Sequence, residues 1–283
     1  MESLTQAEAA SLLESHDLIA IGARADEVRR RMHGPRTTFV RVFEVHVDAP
    51  PASAPLGLAA GEVRVIGRPQ TIEAAVAAVT AARSIAGGTP VTGFALDELQ
   101  ALAQDARRTL SDVCRTLRAA GMSAVSAVAI DRLGDFRAVE EARASGLAVA
   151  RLIVQSLASD ARIEMVERAR DLQAAVGGFR AFAPLPRTFP VAQPSTGFDD
   201  VKLIALARLL VSNIESIQVD WPLYGPKLAQ VALTVGADDI DGVAAVETGL
   251  LGTRRSAIEE IRGNVRAAAL EPVERNARFE AIA

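Results

Sequence analysis

Glu62-Val63-Arg64-Val65-Ile66, then Ile72, Val76 and Val79 at helical spacing, then Pro90 to Phe94 and a new helix from Leu96, form the stretch that decides the fold. The apolar period passes from two to about 3.6 and back, the pattern of a strand, an amphipathic helix and a second strand. Two strands joined through a helix become parallel neighbours, because a parallel pair needs a long crossover.

The same alternation continues outward in both directions. Thr37 to Val47, rich in β-branched and aromatic residues, reads as the first strand. Ala124 to Ile130 and Leu147 to Val154 read as the fourth and fifth, with a helix around Asp135 to Ala144 between them. Ile163, Val166, Ala169 and Leu172 mark the next helix, closed by Gly177-Gly178, and Phe179 to Ala183 is the sixth strand. Ser216 to Val219 and Ala237 to Val243 read as the seventh and eighth strands. Helices are expected at about Val201 to Val211, Pro226 to Val235 and Ser256 to Ala269. Eight such units in about 250 residues are the size of a closed (β/α) TIM-type barrel of the α/β class. A doubly wound open sheet is the runner-up, and no Gly-x-Gly-x-x-Gly follows a strand.

Ahead of the barrel, Thr5-Gln6-Ala7-Glu8 fits a capping box. Leu18, Ile21, Ala25, Val28 and Met32 share one face of a second helix, ended by Gly34-Pro35. The expected organisation is an N-terminal helical segment over 1–36 and a barrel over 37–283. Two Pro-rich segments, Asp48 to Pro55 and Pro184 to Gly197, read as loops on the C-terminal face of the barrel, where barrels keep their chemistry.

Composition limits the function. The chain of 283 residues is 49% apolar and only 4% aromatic, with formal net charge -4. It can bury a large aliphatic core, and it lacks the basic face that nucleic acid requires. Arg29-Arg30-Arg31 sits at a helix end, where cations suit the dipole. The apolar segment Gly146 to Ala158 is too short to span a bilayer and contains Arg151. Met1 to Thr5 has no basic flank leading into an apolar stretch, so no signal peptide is expected and the cytoplasm is the expected location. The single cysteine, Cys114, excludes an internal disulfide. It lies with Leu110, Val113 and Leu117 at helical spacing, as a buried apolar residue would.

Three stretches carry a resemblance. The most specific runs from Ala205-Leu206-Ala207-Arg208 through Ile217 to Lys227, with Trp221 and Gly225-Pro226-Lys227, to Gly236-Ala237-Asp238-Asp239-Ile240-Asp241-Gly242. Arg170-Asp171-Leu172-Gln173 with Gly177-Gly178-Phe179 is the second, and Gly22 to Arg30 with His33-Gly34 the third. Glu271-Pro272-Val273-Glu274-Arg275 adds a closing signature. Together they resemble the radical S-adenosylmethionine (SAM) enzymes of cofactor biosynthesis, and above all the futalosine-pathway family of menaquinone biosynthesis. The C-terminal family segment begins at about residue 200.

The resemblance implies a barrel whose first strand leads into a Cys-x-x-x-Cys-x-x-Cys loop. Three thiolates there hold a 4Fe-4S cluster, and the fourth iron takes the amino and carboxyl groups of the cosubstrate. In this chain Glu44-Val45-His46-Val47-Asp48-Ala49-Pro50-Pro51 stands in that place, and one cysteine cannot replace three. The Gly-Gly-x-x-Pro element that contacts the cosubstrate in the family is reduced to Gly67-Arg68-Pro69. The resemblance therefore implies a cluster-less protein without cofactors, with the SAM-contacting element reduced and SAM binding left open. Its expected role is that of a non-catalytic subunit paired with a cysteine-bearing homologue or another menaquinone-pathway enzyme. The alternative is a non-radical enzyme or binding protein for a futalosine-like nucleoside.

Candidate ligand-binding residues follow from position. Glu44 and His46 end the first strand on one side and can exchange protons. Arg68 follows the second strand, and Gln155 ends the fifth. Asp220 and Trp221 follow the seventh, where a carboxylate and an indole suit a planar polar ring. Asp238, Asp239 and Asp241 form an acidic group that fits either a ribose or cation site or a structural role. No catalytic triad and no metal site can be assembled.

Overall fold

The computed structural model describes residues 8, 11, 12, 14–156, 161–188, 196–246 and 258–282. Eight parallel strands close into a barrel. In chain order they are β1 (Arg36–His46), β2 (Glu62–Ile66), β3 (Val91–Ala95), β4 (Ala124–Ala129), β5 (Arg151–Ser156), β6 (Ala181–Thr188), β7 (Ser216–Asp220) and β8 (Asp239–Ala244). Each strand pairs with the next, and β1 pairs with both β2 and β8, which shuts the ring.

Around it lie α1 (Leu18–His33), α2 (Ile72–Ala86), α3 (Leu96–Asp105), α4 (Leu110–Ala120), α5 (Arg137–Ala144), α6 (Arg162–Val176), α7 (Gly197–Leu210), α8 (Trp221–Leu233) and α9 (Ile258–Ala267). The helices start where the sequence supplies caps. The side chains of Asp17, Thr71, Thr109 and Thr196 accept from the first-turn N–H groups of α1, α2, α4 and α7. Their apolar faces and the outward residues of the strands, such as Val45, Val63, Val65, Leu152 and Phe182, form one continuous core between sheet and helices. Cys114 is fully buried in it. No helix among the described residues is long and apolar enough to cross a membrane.

Four expectations change. The fifth strand begins at Arg151, not Leu147, because Ala148 makes only an isolated bridge to Ala124. The sixth strand runs on to Thr188 and takes in Pro184, Leu185 and Pro186, which read as loop. A register shift opposite Ile153 and Val154 accommodates the two prolines, since Pro has no N–H to give a regular ladder. Third, α8 starts at Trp221 and is kinked at Gly225, whose φ of 72° places the break directly before Pro226.

The fourth change is a ninth strand, β9 (Glu271–Glu274), where the sequence showed only a closing signature. Thr38 pairs with Asp239 of β8 on one edge and Val273 of β9 on the other. β9 thus fills the lower half of the β1–β2 seam, where β2 has not yet begun. Arg275 N donates to Phe39 O at 2.9 Å and Ala277 N to Gly61 O at 3.1 Å, fastening the segment beneath β2. The Thr5 capping box, the start of the last helix at Ser256 and the centre of the second Pro-rich segment lie outside the described residues.

The Arg275 side chain completes this latch by a two-pronged bond to buried Asp239, at 2.6 Å on each oxygen. Arg275→Met leaves a buried carboxylate short of its countercharge and is expected to cost about 3–5 kcal/mol of stability in urea unfolding. A loss below about 1 kcal/mol, the range of a surface pair, would show that the segment does not hold the seam.

Candidate functional site

Strand parity divides the barrel interior into layers. Val42, Glu44 and His46 of β1 stand beside Glu62, Arg64 and Ile66 of β2. Arg64 reaches across to Asp241 of β8, so all six side chains face the lumen. Glu44 and His46 are the upper members on β1 and both are exposed to solvent. On β5 the lumen side carries Arg151, Ile153 and Gln155 in turn. Ile153 meets Ala127, Ala129 and Ala183 in a small apolar cluster apart from the main core. The lumen therefore has a charged lower layer, a thin apolar band on the β4–β6 side and a polar open mouth.

The sequence-predicted residues fall on the mouth side, with different freedoms. Arg68 lies in the turn after β2, 3.6 Å from Asp105, with its side chain 64% exposed. Gln155 is half-buried; its N–H donates to Asp131 Oδ1 at 2.7 Å and its carbonyl accepts from Thr188 Oγ1 at 2.8 Å. Asp220 is buried. Its Oδ1 accepts from Leu223 N at 3.1 Å, capping α8, and its Oδ2 accepts from Arg187 Nη1 at 2.7 Å. Trp221 is 2% exposed and belongs to the main core. Glu44, His46, Arg68, Gln155 and the Arg187–Asp220 pair thus share one end of the barrel, while Trp221 turns inward.

The three aspartates of the acidic group are each held by arginine. Asp238 accepts from Arg208, from Ile217 N at 2.8 Å, and lies 3.4 Å from His33 Nε2. Asp239 accepts from Thr38 Oγ1 at 2.5 Å, from Gln218 Nε2 at 2.6 Å and from Arg275. Asp241 takes two bonds from Arg64, at 2.9 and 3.0 Å, and has Arg151 Nη2 at 2.6 Å. Arg64 also holds Glu62 through two bonds of 2.6 and 2.8 Å. Among the described residues no three His, Cys, Asp or Glu side chains gather as a metal-holding group. Sequence reading missed Glu62, Arg64, Arg151 and Arg187. The available signal was arginine at inward positions of otherwise apolar strands.

The residues present do not fit an iron–sulfur cluster. The end of β1 and the turn after it offer Glu44, His46 and Asp48 and no thiol. Cys114 lies on α4 in the sheet–helix core, where burial, with Glu141 adding to it, pushes its thiol up to about 11. The thiolate is the form that binds iron. Thiol reagent is accordingly expected to modify no cysteine in the folded protein and one equivalent after denaturation. Native labelling within minutes would contradict the packing of α4.

Charge in the lower layer has a pH consequence. Burial alone would raise the Asp241 carboxyl, but Arg151 and Arg64 outweigh it and hold the group well below the usual carboxylate range. Folded protein keeps Asp241 ionised where the unfolded chain, with its carboxyl near 4, has taken up a proton. The stabilisation is complete above about pH 4 and is lost as pH falls below it. Asp241→Asn is expected to be less stable at pH 7 by about 3–5 kcal/mol, since it takes the countercharge from buried Arg151 and leaves Arg64 with Glu62 alone. That gap is expected to narrow by about 1.4 kcal/mol per pH unit between about pH 4 and 3. A gap independent of pH in urea titrations would contradict the pairing.

Comparison with known proteins follows the same lines. Residues 178–283 match the family model described as the CofH/MqnC C-terminal region. Aminodeoxyfutalosine synthase of Streptomyces coelicolor is 34% identical over 143 residues, covering 43% of this chain and 37% of the relative. The 5-amino-6-(D-ribitylamino)uracil–L-tyrosine 4-hydroxyphenyl transferase of Methanococcoides burtonii is 34% identical over 138 residues, covering 43% of this chain and 39% of the relative. The chain spans well under half the length of these two relatives. Methylornithine synthase shares the fold over 96% of this chain and 94% of its own, with a TM-score of 0.66 at 14% identity. The chain thus shares its barrel fold with methylornithine synthase, its residues 178–283 match the CofH/MqnC C-terminal region, and part of it is similar to aminodeoxyfutalosine synthase.

Proposed function

We propose that the chain is a cluster-independent, non-catalytic partner in the futalosine route to menaquinone, pairing with a cysteine-bearing radical SAM homologue or another enzyme of that route. One observation carries the reading. The end of β1 presents Glu44, His46 and Asp48 where the family places three thiolates, while the sole thiol is locked in the outer core. Thiolates are the usual protein ligands of such clusters, so the donor set needed to begin radical chemistry is missing. The framework is present: the closed barrel, the arginine-paired Asp238, Asp239 and Asp241, and the capped α8.

A second reading rests on the mouth. Glu44 and His46 face the lumen side by side on β1 and are open to solvent. A carboxylate and an imidazole placed there can hydrogen-bond a bound polar molecule, such as a futalosine-like nucleoside. Asp220 would serve there through Arg187, which it orients, because its own oxygens are engaged with the α8 cap and that guanidinium.

Co-expression with a tagged cysteine-bearing homologue separates the two. The partner reading expects equimolar co-elution in size-exclusion chromatography, unchanged by His46→Ala. Elution of the chain alone would contradict it. Saturable nucleoside binding by the isolated chain, weakened about tenfold or more by His46→Ala, would instead support the second reading.

A further inference from the structure

The barrel has a cavity at the end opposite the mouth. It holds about 200 Å³, beneath the starts of β2 to β5, and the C-terminal segment after β9 covers it. Its walls are small side chains, among them Ala124, Ala148, Ala150 and Ala277, with Phe279 along one side. Its inner end is charged and carries Arg64, Arg151 and Asp241.

The arginines around it are not equally satisfied. Arg64 gives its donors to Glu62 and Asp241, and Arg275 to Asp239 and the carbonyl of Asn276. Arg151 is only 7% exposed, yet no described residue accepts a hydrogen bond from its guanidinium. Its contact with Asp241 is an ion pair at 2.6 Å without hydrogen-bond alignment. A buried guanidinium has five N–H donors to satisfy, and leaving them idle is costly. Burial accordingly lowers its pKa to about 10, against the pull of Asp241.

Charge defines what fits. Arg64, Arg151 and Arg275 balance Glu62, Asp239 and Asp241 in this layer. Arg278, exposed on the rim, has no ion-pair partner among the described residues. That leaves room for one negative charge, whereas a dianion would meet Asp241 beside Arg151. The volume equals roughly seven waters by their share of the bulk liquid, so the occupant is small.

We propose that this cavity binds a small monocarboxylate, its carboxylate on Arg151 and its apolar body against the alanine wall and Phe279. A planar guanidinium matches a carboxylate in geometry, and the alanine and Phe279 walls suit an alkyl chain. The site stands apart from the mouth and does not depend on the partner reading.

Calorimetric titration of the full chain tests it, with hexanoate as probe and hexanamide and inorganic phosphate as comparisons. One hexanoate per chain is expected, with hexanamide weaker by about tenfold or more, as the loss of a charge-assisted bond implies, and no saturable heat from phosphate. Arg151→Met is expected to abolish binding, and Arg278→Gln to weaken it a few-fold. Ala277→Phe fills the cavity while leaving Arg151 and its ion pair in place, and is expected to abolish binding too. It decides the matter if the Arg151 variant fails to fold. Absence of saturable hexanoate binding up to about 10 mM, equal binding of acid and amide, or wild-type affinity in Ala277→Phe would overturn the proposal.

Discussion

Asp239 and Asp241 stand two residues apart on β8 with both carboxylates inside the barrel, and a buried carboxylate persists only if countercharge reaches it. Each cation comes from a different place in the chain: Arg64 from β2, Arg151 from the start of β5 and Arg275 from the segment after β9. Thr38 of β1 and Gln218 of β7 complete the shell of Asp239. Neutralising two side chains thus ties β8 to strands right round the ring. The backbone accommodates this through Gly242, whose φ of 77° lies where L side chains are strained and whose added Cβ would come within 2.8 Å of Pro222. The β1–β8 register shifts opposite that point.

The network also divides the lumen by function. Its lower half holds the paired ions and, beneath them, the cavity that the segment after β9 covers, while the upper half opens as a polar mouth. A barrel enzyme of this kind works at the C-terminal ends of its strands. There the chain offers Glu44, His46, Gln155 and an Arg187–Asp220 pair, a polar set without thiolates. The ion pairs that hold the ring together lie apart from that mouth.

The alternation of strands and helices was legible because each element has a local period and pairs such as Gly34-Pro35 and Gly177-Gly178 mark the helix ends. The barrel itself followed from counting. The course of β6 through Pro184 and Pro186 was not legible, because proline reads locally as a strand breaker and only the register shift against β5 makes room for it. β9 was equally hidden: it has four residues, and its partner β1 lies more than two hundred positions earlier. The site was half legible. Position at strand ends placed Glu44, His46, Arg68 and Gln155 at the mouth. Nothing local told that Asp220 is committed to a helix cap, that Trp221 turns into the core, or that Asp241 meets Arg64 from 177 positions away.

The central claim is that this barrel has kept its frame without the ligands of a radical SAM cluster. Anaerobic reconstitution with iron and sulfide, followed by elemental analysis after desalting, addresses it most directly. The account predicts far less than one iron per chain and no charge-transfer absorbance. About four irons and four sulfides per chain, retained through desalting, would contradict it.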